Sequence, residues 1–401
     1  MKRGIALFLS LLLLILAGCG AAPAKSEPAA TQAPSATKAP VETPPEPAAE
    51  TAGPELPGLT YQYSMEREYA EQFAVHYYEG GYKFLEIGDG NRYLLVPEGM
   101  EPPAGLPDSI RVLRQPLDHL YLAATASMSL FDAMNALDAV SLTSLDAEDW
   151  MVEGAKAAME RGEIRYGGKY SEPDYELLVN SGCSLAIENT MILHTPKVIE
   201  MIEMLGVPVF IEYSSYESHP LGRTEWIRLY GAMLNREEEA DRVFRERTAV
   251  MEQLRDYPGT GKTVAVFLID TSGKAQVRSS DDYLSKIIEI AGGQNAFTYV
   301  TVEESGRTNV NMTMEEFYAT AVDVDYLIYN ASGYSAGVDT LDKLLEKSEL
   351  LRDCRAFREG NIWWIGGEVY QRSDMLGDLI GDVHRMLTGE EGDMVFLHRM
   401  E

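Results

Sequence analysis

The chain is 401 residues long and carries 63 acidic against 34 basic side chains, a formal net charge of −29. Phosphate recognition needs a basic footprint, so this balance excludes a nucleic-acid partner, and it excludes adhesion to anionic lipid by charge alone. Hydrophobic residues make up 45% of the sequence, enough for a core in two lobes of ordinary domain size.

Residues 1–19, MKRGIALFLSLLLLILAGC, open with Lys2 and Arg3 and continue in an apolar run from 5 to 17. The run is shorter than the ~20 residues of a membrane span and has the n-region and h-region of a secretory signal. Its ending, Leu16-Ala17-Gly18-Cys19, resembles a bacterial lipobox. That resemblance implies cleavage before Cys19, a lipid on its thiol, and a protein held outside the cytoplasm on the bacterial cell membrane. Residues 20–58 are rich in Ala, Pro, Thr and Glu and almost free of large apolar side chains. Such a stretch cannot offset its ordering entropy, and its prolines favour extended segments, so a disordered tether is expected. Cys183 and Cys354 remain, far apart in sequence; two free thiols in different lobes are expected rather than a disulfide.

Over 59–106 a small β-meander is predicted. The runs 73–78, 82–87 and 92–96 are strand-like and are split by Glu79-Gly80-Gly81 and Asp89-Gly90, turn residues between β-rich segments. Over 107–223 strands alternate with helices. Strands are expected at 110–113, 119–123, 184–187 and 207–211, and helices at 129–137 and 196–205; this alternation argues for a parallel sheet covered by helices. Over 224–257 the helical periodicity is nearly unbroken, Gly231 being the one breaker, with Glu237, Glu238 and Glu239 ahead of Arg242, Arg245 and Arg247. That charge order suits the helix macrodipole, and a long helix with little apolar surface often bridges two bodies. Over 258–401 the alternation resumes: strands at 263–269, 326–329 and 361–365, and helices at 283–291, 313–319, 341–350 and 375–387. The predicted fold class is therefore α/β: two Rossmann-like α/β lobes joined by one long α-helix, with an N-terminal β-meander.

At this point several segments carry a resemblance, over about 109–389. They are 111–144, with Ala126-Ser-Met-Ser-Leu-Phe-Asp-Ala-Met-Asn-Ala-Leu137; Tyr175-Glu-Leu-Leu running on to Ala186-Ile187; Leu205-Gly-Val-Pro-Val-Phe; 222–235 followed by 237–244; and Ile290-Ala-Gly-Gly-Gln-Asn-Ala-Phe297. In this order they resemble the substrate-binding lipoproteins of bacterial ABC importers, in the class that carries ferric siderophores, haem and cobalamin. The family's opening pair, Ser-Pro or similar before Thr-Glu, is replaced here by Thr125-Ala-Ser-Met-Ser, which leaves the ligand open. The meander lies outside the shared region.

The resemblance implies binding rather than catalysis. A bulky iron chelate, haem or corrinoid would be captured between the lobes and delivered to an ABC permease and its ATPase. No resident cofactor is implied, since any metal would arrive inside the ligand, and a monomer is expected. One Glu on each lobe would pair with permease arginines; by position these are Glu176 and Glu315, with Glu172 and Glu316 as neighbouring alternatives. A carboxylate takes an arginine bidentately, so two such points fix docking and orientation.

Ligand groups are expected where strands end and loops face the cleft. In the first lobe these are Ser127, Met128, Met191, His194, Tyr213, Tyr216 and Arg223. In the second they are Arg278, Tyr334, Trp363 or its neighbour Trp364, Tyr370 and Arg372. Aromatic rings offer flat walls and arginines balance an anionic complex.

Two other chemistries can be weighed on the same residues. Gly333-Tyr-Ser335-Ala-Gly337 matches the G-x-S-x-G nucleophile elbow, with Asp374 or Asp378 and His384 following in hydrolase order; the expected strand ends too early for Ser335 to sit on a sharp strand-to-helix turn. A direct zinc or manganese carrier would need several histidines at the cleft. Of the six, His76, His119, His194, His219, His384 and His398, only His194 and His219 are placed there by the sequence.

Overall fold

The computed structural model of the chain describes residues 53–301 and 308–401. Cys19, the signal and most of the expected tether lie outside the described residues.

The N-terminal part folds as a sheet in the order β1 (Tyr61–Ser64), β2 (Phe73–Tyr78), β3 (Lys83–Ile87), β4 (Arg92–Val96) and β5 (Ile110–Arg114). The first four strands form an antiparallel meander. Its tight turns use Gly80, Gly81 and Gly90 at positive φ, a conformation that costs glycine little. The fifth strand departs from the expectation. The segment read as the opening strand of the α/β lobe instead pairs parallel with β4, so this sheet runs on to Arg114. The reason is burial on both faces. Tyr93, Leu95 and Leu113 face one core, while Leu94, Val96 and Ile110 face another. Strand β4 therefore needs an apolar neighbour on its open edge, and β5 supplies it.

The sheet is not a separate body. Val75, Leu85, Tyr93 and Leu95 pack with Phe131, Phe210 and Trp226 of the first lobe, with ring centroids 5.1 Å apart for Tyr93 and Phe210 and 5.4 Å for Phe73 and Trp226.

The first lobe contains β6 (Leu120–Leu122), α1 (Met128–Ala133), β7 (Val140–Thr143), α2 (Glu153–Glu160), β8 (Arg165–Tyr166), the small ribbon β9 (Gly168–Lys169) and β10 (Glu172–Pro173), α3 (Tyr175–Asn180), β11 (Ala186–Asn189), α4 (Pro196–Met204) and β12 (Val209–Glu212). Its sheet runs β12-β11-β6-β7-β8 and is parallel throughout. One face shares the core of the N-terminal sheet, and the other packs on α3 and α4 through Leu178, Val198 and Ile202.

The run expected as one joining helix is divided into α5 (Pro220–Leu234), α6 (Glu237–Thr248) and α7 (Val250–Leu254). The break falls at Asn235, which caps α5 in the left-handed region at φ 57; asparagine tolerates that conformation better than most residues. Helix α6 then folds back on α5. Gly231 permits the close crossing, since a Cβ there would lie 2.5 Å from the Ala240 Cβ. Helix α5 is buried along most of its length, mainly in the first-lobe core, while Leu221 in its first turn joins the second-lobe core. The passage between lobes falls to α6 and α7: Val243 and Phe244 belong to the first-lobe core, while Leu254, with Val250 and Met251 against it, belongs to the second.

The second lobe follows with β13 (Thr263–Ile269), β14 (Ala275–Arg278), α8 (Tyr283–Ile290), β15 (Gln294–Asn295), β16 (Asn309–Met312), α9 (Met314–Ala321), β17 (Tyr326–Ala331), α10 (Leu341–Lys347), α11 (Arg355–Arg358), β18 (Ile362–Gly366), α12 (Leu376–Thr388) and β19 (Leu397–Arg399). The sheet runs β16-β14-β13-β17-β18-β19, with β15 beside β13. Its centre, β13, β17 and β18, is parallel. Both margins are antiparallel, an extension that the sequence reading missed. Cys183 and Cys354 are free thiols, one in each lobe, and burial pushes each up to about 11.

Candidate functional site

Between the lobes lies a cavity of about 450 Å³. Its first-lobe wall is built at strand ends, where an α/β sheet presents ligand groups. Met191 and His194 stand on a 3-10 turn after β11, Tyr216 on a turn after β12, and Arg223 in the first turn of α5. The second-lobe wall holds Arg278 at the end of β14, Asp282 and Tyr283 at the start of α8, and Tyr370 after β18. Of the residues predicted to meet ligand, the structure thus brings together Met191, His194, Tyr216, Arg223, Arg278 and Tyr370.

Two guanidiniums, Arg223 and Arg278, share the cavity with the carboxylates of Glu217, Asp281 and Asp282. The Arg223 guanidinium carbon lies 3.8 Å from the Tyr283 ring centroid, and its Nη2 donates to the Ser215 carbonyl at 2.8 Å. Its Nε is buried without a hydrogen-bond partner among the described residues. Arg278 Nη2 donates to the Tyr370 hydroxyl at 2.6 Å, and its Nη1 lies 3.7 Å from the Asp282 carboxylate. That carboxylate also caps α8, accepting the Leu284 N–H at 2.9 Å. The Tyr370 oxygen receives a second donor, Asn330 Nδ2, at 2.6 Å.

The floor contains a buried acid that sequence reasoning missed. Glu217 accepts the backbone N–H groups of Glu71 and Gln72 at 2.7 and 3.0 Å and the Trp226 indole N–H at 2.8 Å. Burial raises its carboxyl above the usual range, opposed by these donors. Beside it, Glu225 accepts the N–H groups of Glu68, Tyr69 and Ala70 at 2.7–2.8 Å. Two carboxylates on or next to α5 therefore hold five successive backbone donors of the N-terminal segment. No local signal marks these acids, because their partners are about 150 positions away in sequence. Tyr283 was legible in principle: Asp282 followed by an apolar run with helical period is an N-cap signature.

Other predicted residues lie elsewhere. Ser127 is 1% exposed and shares a 2.8 Å hydrogen bond with the Tyr230 hydroxyl; Met128 is fully buried. Both fill the core under α1, which needs their volume more than the cleft does. Tyr213 packs against the first-lobe cores, and burial, followed by the Asp89 carboxylate, pushes its hydroxyl up to about 12. Trp363 and Trp364 point to opposite faces of β18, as neighbours on a strand must. One packs on the α8/α12 core; the other lies 4.6 Å from the His398 ring. Arg372 pairs with Asp374 at 3.0 Å rather than lining the cavity. Tyr334 stands in the turn Gly333–Ser335, and its side chain lies outside the described residues.

The residues of the rival chemistries have other partners. Ser335 is buried and donates to the Ile269 carbonyl at 3.3 Å, whereas the His384 ring meets the Ala291 carbonyl at 3.0 Å. His219 Nδ1 caps α5 by accepting the Leu221 N–H at 3.1 Å, and its ring stacks on Tyr69 at 4.5 Å. Among the described residues no group of three or more His, Cys, Asp or Glu is arranged to hold a metal ion, and no helix is long and apolar enough to cross a membrane.

Glu176 and Glu315 are exposed in the first turns of α3 and α9. Their neighbours are engaged locally: Asp174 caps α3, and Glu316 closes a capping box with Thr313.

No protein-family model matches the chain. Two uncharacterised lipoproteins of Methanocaldococcus jannaschii are similar in sequence. One is 23% identical over 349 residues, covering 83% of this chain and 86% of the relative; the other is 21% identical over 322 residues, covering 76% and 75%. Among solved structures, a periplasmic binding protein from Veillonella parvula superposes with a TM-score of 0.55 at 16% identity, covering 68% of this chain and 92% of that one. The periplasmic haem-binding protein HutB of Vibrio cholerae gives 0.54 at 16% identity, covering 68% and 98%. A protein of an Fe3+-hydroxamate transport system from Saccharomonospora viridis gives 0.50 at 15%, covering 68% and 93%. The chain thus has the fold of the periplasmic binding proteins, two α/β lobes with a cleft between them. An alignment over 83% of the chain is too long to fit within residues 115–401, so the archaeal lipoproteins share part of what precedes the lobes.

Proposed function

We propose that this protein is a lipid-anchored solute-binding component of an ABC importer, exposed outside the cytoplasm, that captures an anionic ferric siderophore or haem and hands it to a permease. A corrinoid is the remaining ligand of the same class. The observation that carries the reading is the pair Arg223 and Arg278, one from each lobe, in a 450 Å³ cleft walled by Tyr216, Tyr283 and Tyr370. Arg223 and Arg278 face this opening beside the carboxylates of Glu217, Asp281 and Asp282; an oxyanion of the ligand would meet charged donors at the two guanidiniums, and the rings suit a flat or catecholate body.

The lipid on Cys19 would keep the binder beside its permease, the tether letting it sweep a small volume. The α6–α7 connection is packed on both lobes, which favours a preformed cleft and small closure, and a preformed cleft loses little ordering entropy on binding. The carboxylates of Glu176 and Glu315, one per lobe, have no partner among the described residues and would be offered to arginines of the permease.

Tryptophan fluorescence titration with haemin, a ferric hydroxamate, a ferric catecholate and cyanocobalamin tests the reading. Saturable quenching by one of them at micromolar concentration or below is expected. Quenching by none, together with tight zinc binding by calorimetry, would replace the chelate with a bare metal ion.

A further inference from the structure

The loop from β18 to α12 places neighbouring side chains in different surroundings. Tyr370 faces the cleft, where its hydroxyl oxygen receives Arg278 and Asn330. Gln371, the next residue, reaches out of its own lobe. Its Oε1 accepts the Met151 N–H at 2.8 Å, and its Nε2 donates to the Asp149 carbonyl at 2.9 Å. Both partners are backbone atoms of the first-lobe segment leading into α2. A primary amide offers one acceptor and two donors, and here it grips two peptide groups two residues apart. The loop continues toward the first lobe: Ser373 O accepts from Thr224 Oγ1 at 2.7 Å, and the Asp374 N–H meets Ser129 Oγ at 3.4 Å.

We propose that Gln371 is a positioning residue that fixes the separation of the lobes, and that Tyr370 ties this latch to the state of the cleft. The proposal rests on the cleft being the ligand site. Tyr370 closes the 3-10 turn Gly367–Tyr370, and the Gln371 N–H donates to Glu368 O at 2.9 Å. The two residues therefore belong to one hydrogen-bonded turn. A ligand that draws Arg278 or Asn330 away from the Tyr370 oxygen shifts the ring, the turn moves with it, and the amide fork is carried along. The connecting helices set which way the lobes can move; Gln371, together with the Thr224–Ser373 and Ser129–Asp374 contacts, sets how far apart they rest.

Hydrogen exchange at the Met151 amide, measured on the full chain in detergent without ligand, tests both halves. Gln371→Ala is expected to speed that exchange about tenfold, the effect of losing one or two ordinary hydrogen bonds, while the Phe267 amide in β13 stays protected. Gln371→Glu keeps the acceptor for Met151 and loses the donor to Asp149, so its rate should fall between wild type and Gln371→Ala. It serves as the test variant if Phe267 shows that the alanine variant is unfolded. Tyr370→Phe leaves the fork intact but removes the oxygen that holds Arg278 and Asn330, and Met151 exchange should still rise several-fold. An unchanged Met151 rate in the Gln371 variants overturns the latch; an unchanged rate in Tyr370→Phe overturns the coupling. Because no ligand is present, these failures are separate from failure of the ligand reading, which the fluorescence titration decides.

Discussion

Arg223 and Tyr283 meet across the cleft floor, guanidinium over ring at 3.8 Å. The contact joins the first turn of α5 to the first residue of α8, so a cation of one lobe rests on an aromatic face of the other. Stacking leaves the edge of the guanidinium to hydrogen-bond. One edge group serves Ser215, and the buried Nε has no partner among the described residues. A planar cation held in this way is prepared for an oxyanion in a manner that lysine cannot copy.

Arg223→Ala should therefore weaken binding of an anionic ferric complex by roughly ten- to a hundredfold, the range for losing a charge-assisted hydrogen bond. Arg223→Lys keeps the charge, loses the planar stack, and should recover only part of that loss. Arg278→Ala should act in the same direction. Fluorescence titration of the three variants against the wild-type ligand decides it; a lysine variant with full affinity would reduce the role of Arg223 to its charge.

Glu225 gives a stability prediction. It is fully buried and serves three backbone donors and Arg228 Nη1, the last at 2.9 Å. Glu225→Ala strands those groups and should cost about 3 kcal/mol or more of unfolding free energy, with Glu225→Gln costing less. Urea unfolding measures the loss. Limited proteolysis should locate it, since residues 68–70 lose the acceptor that fastens them to α5.

Glu188 on β11 has the opposite sign. It is buried, and neither carboxylate oxygen has a partner among the described residues. Desolvation raises its pKa well above the ordinary 4.5. An acid whose folded pKa is raised binds its proton more tightly in the native state. Stability is then greatest below the unfolded pKa and falls as pH rises from about 4.5 toward the folded value. Glu188→Gln should flatten that slope. Glu188→Leu should stabilise the protein at neutral pH by about 1–3 kcal/mol, by removing an unpaired buried polar group. Chemical denaturation across pH 4.5–8 reads both; a wild-type curve with no fall over that interval would mean that Glu188 is ionised in the fold.

Much of the fold is written in local pattern, and its departures have local causes. The meander is legible because Gly80, Gly81 and Gly90 punctuate β-rich runs. The alternation of β11, α4 and β12 is legible from Ile202, Val209 and Ile211, which share one core face. Strand β5 is legible as a strand but not as a partner of β4, since alternation does not say which sheet a strand joins. The Asn235 break is hidden because asparagine is an ordinary helix residue until its neighbours place it in the left-handed region. In the site, Arg223, Arg278, Tyr216 and Tyr370 can be named in advance because strand ends and their loops face the cleft. Ser127 and Met128 sit at an equally suggestive position, yet α1 must bury them. Gln371 and Glu217 have partners from distant segments and carry no local mark.

Glu176 and Glu315 test the handover itself. Each stands in the first turn of an exposed helix, where a carboxylate already gains about 0.3–1 kcal/mol from the macrodipole. A purely helical role predicts that reversing both charges lowers stability by that modest amount and leaves transport intact. A docking role predicts more: Glu176→Arg with Glu315→Arg should abolish ligand uptake in cells while the purified variant keeps wild-type affinity. Glu316→Arg supplies the contrast. Its carboxylate is committed to Thr313 in the capping box, so reversal should cost about 1 kcal/mol of stability with uptake preserved. Uptake that survives the double reversal would leave these two carboxylates as helix-terminal charges and move the permease contact to another part of the lobes; affinity lost along with uptake would place them in the ligand's path instead.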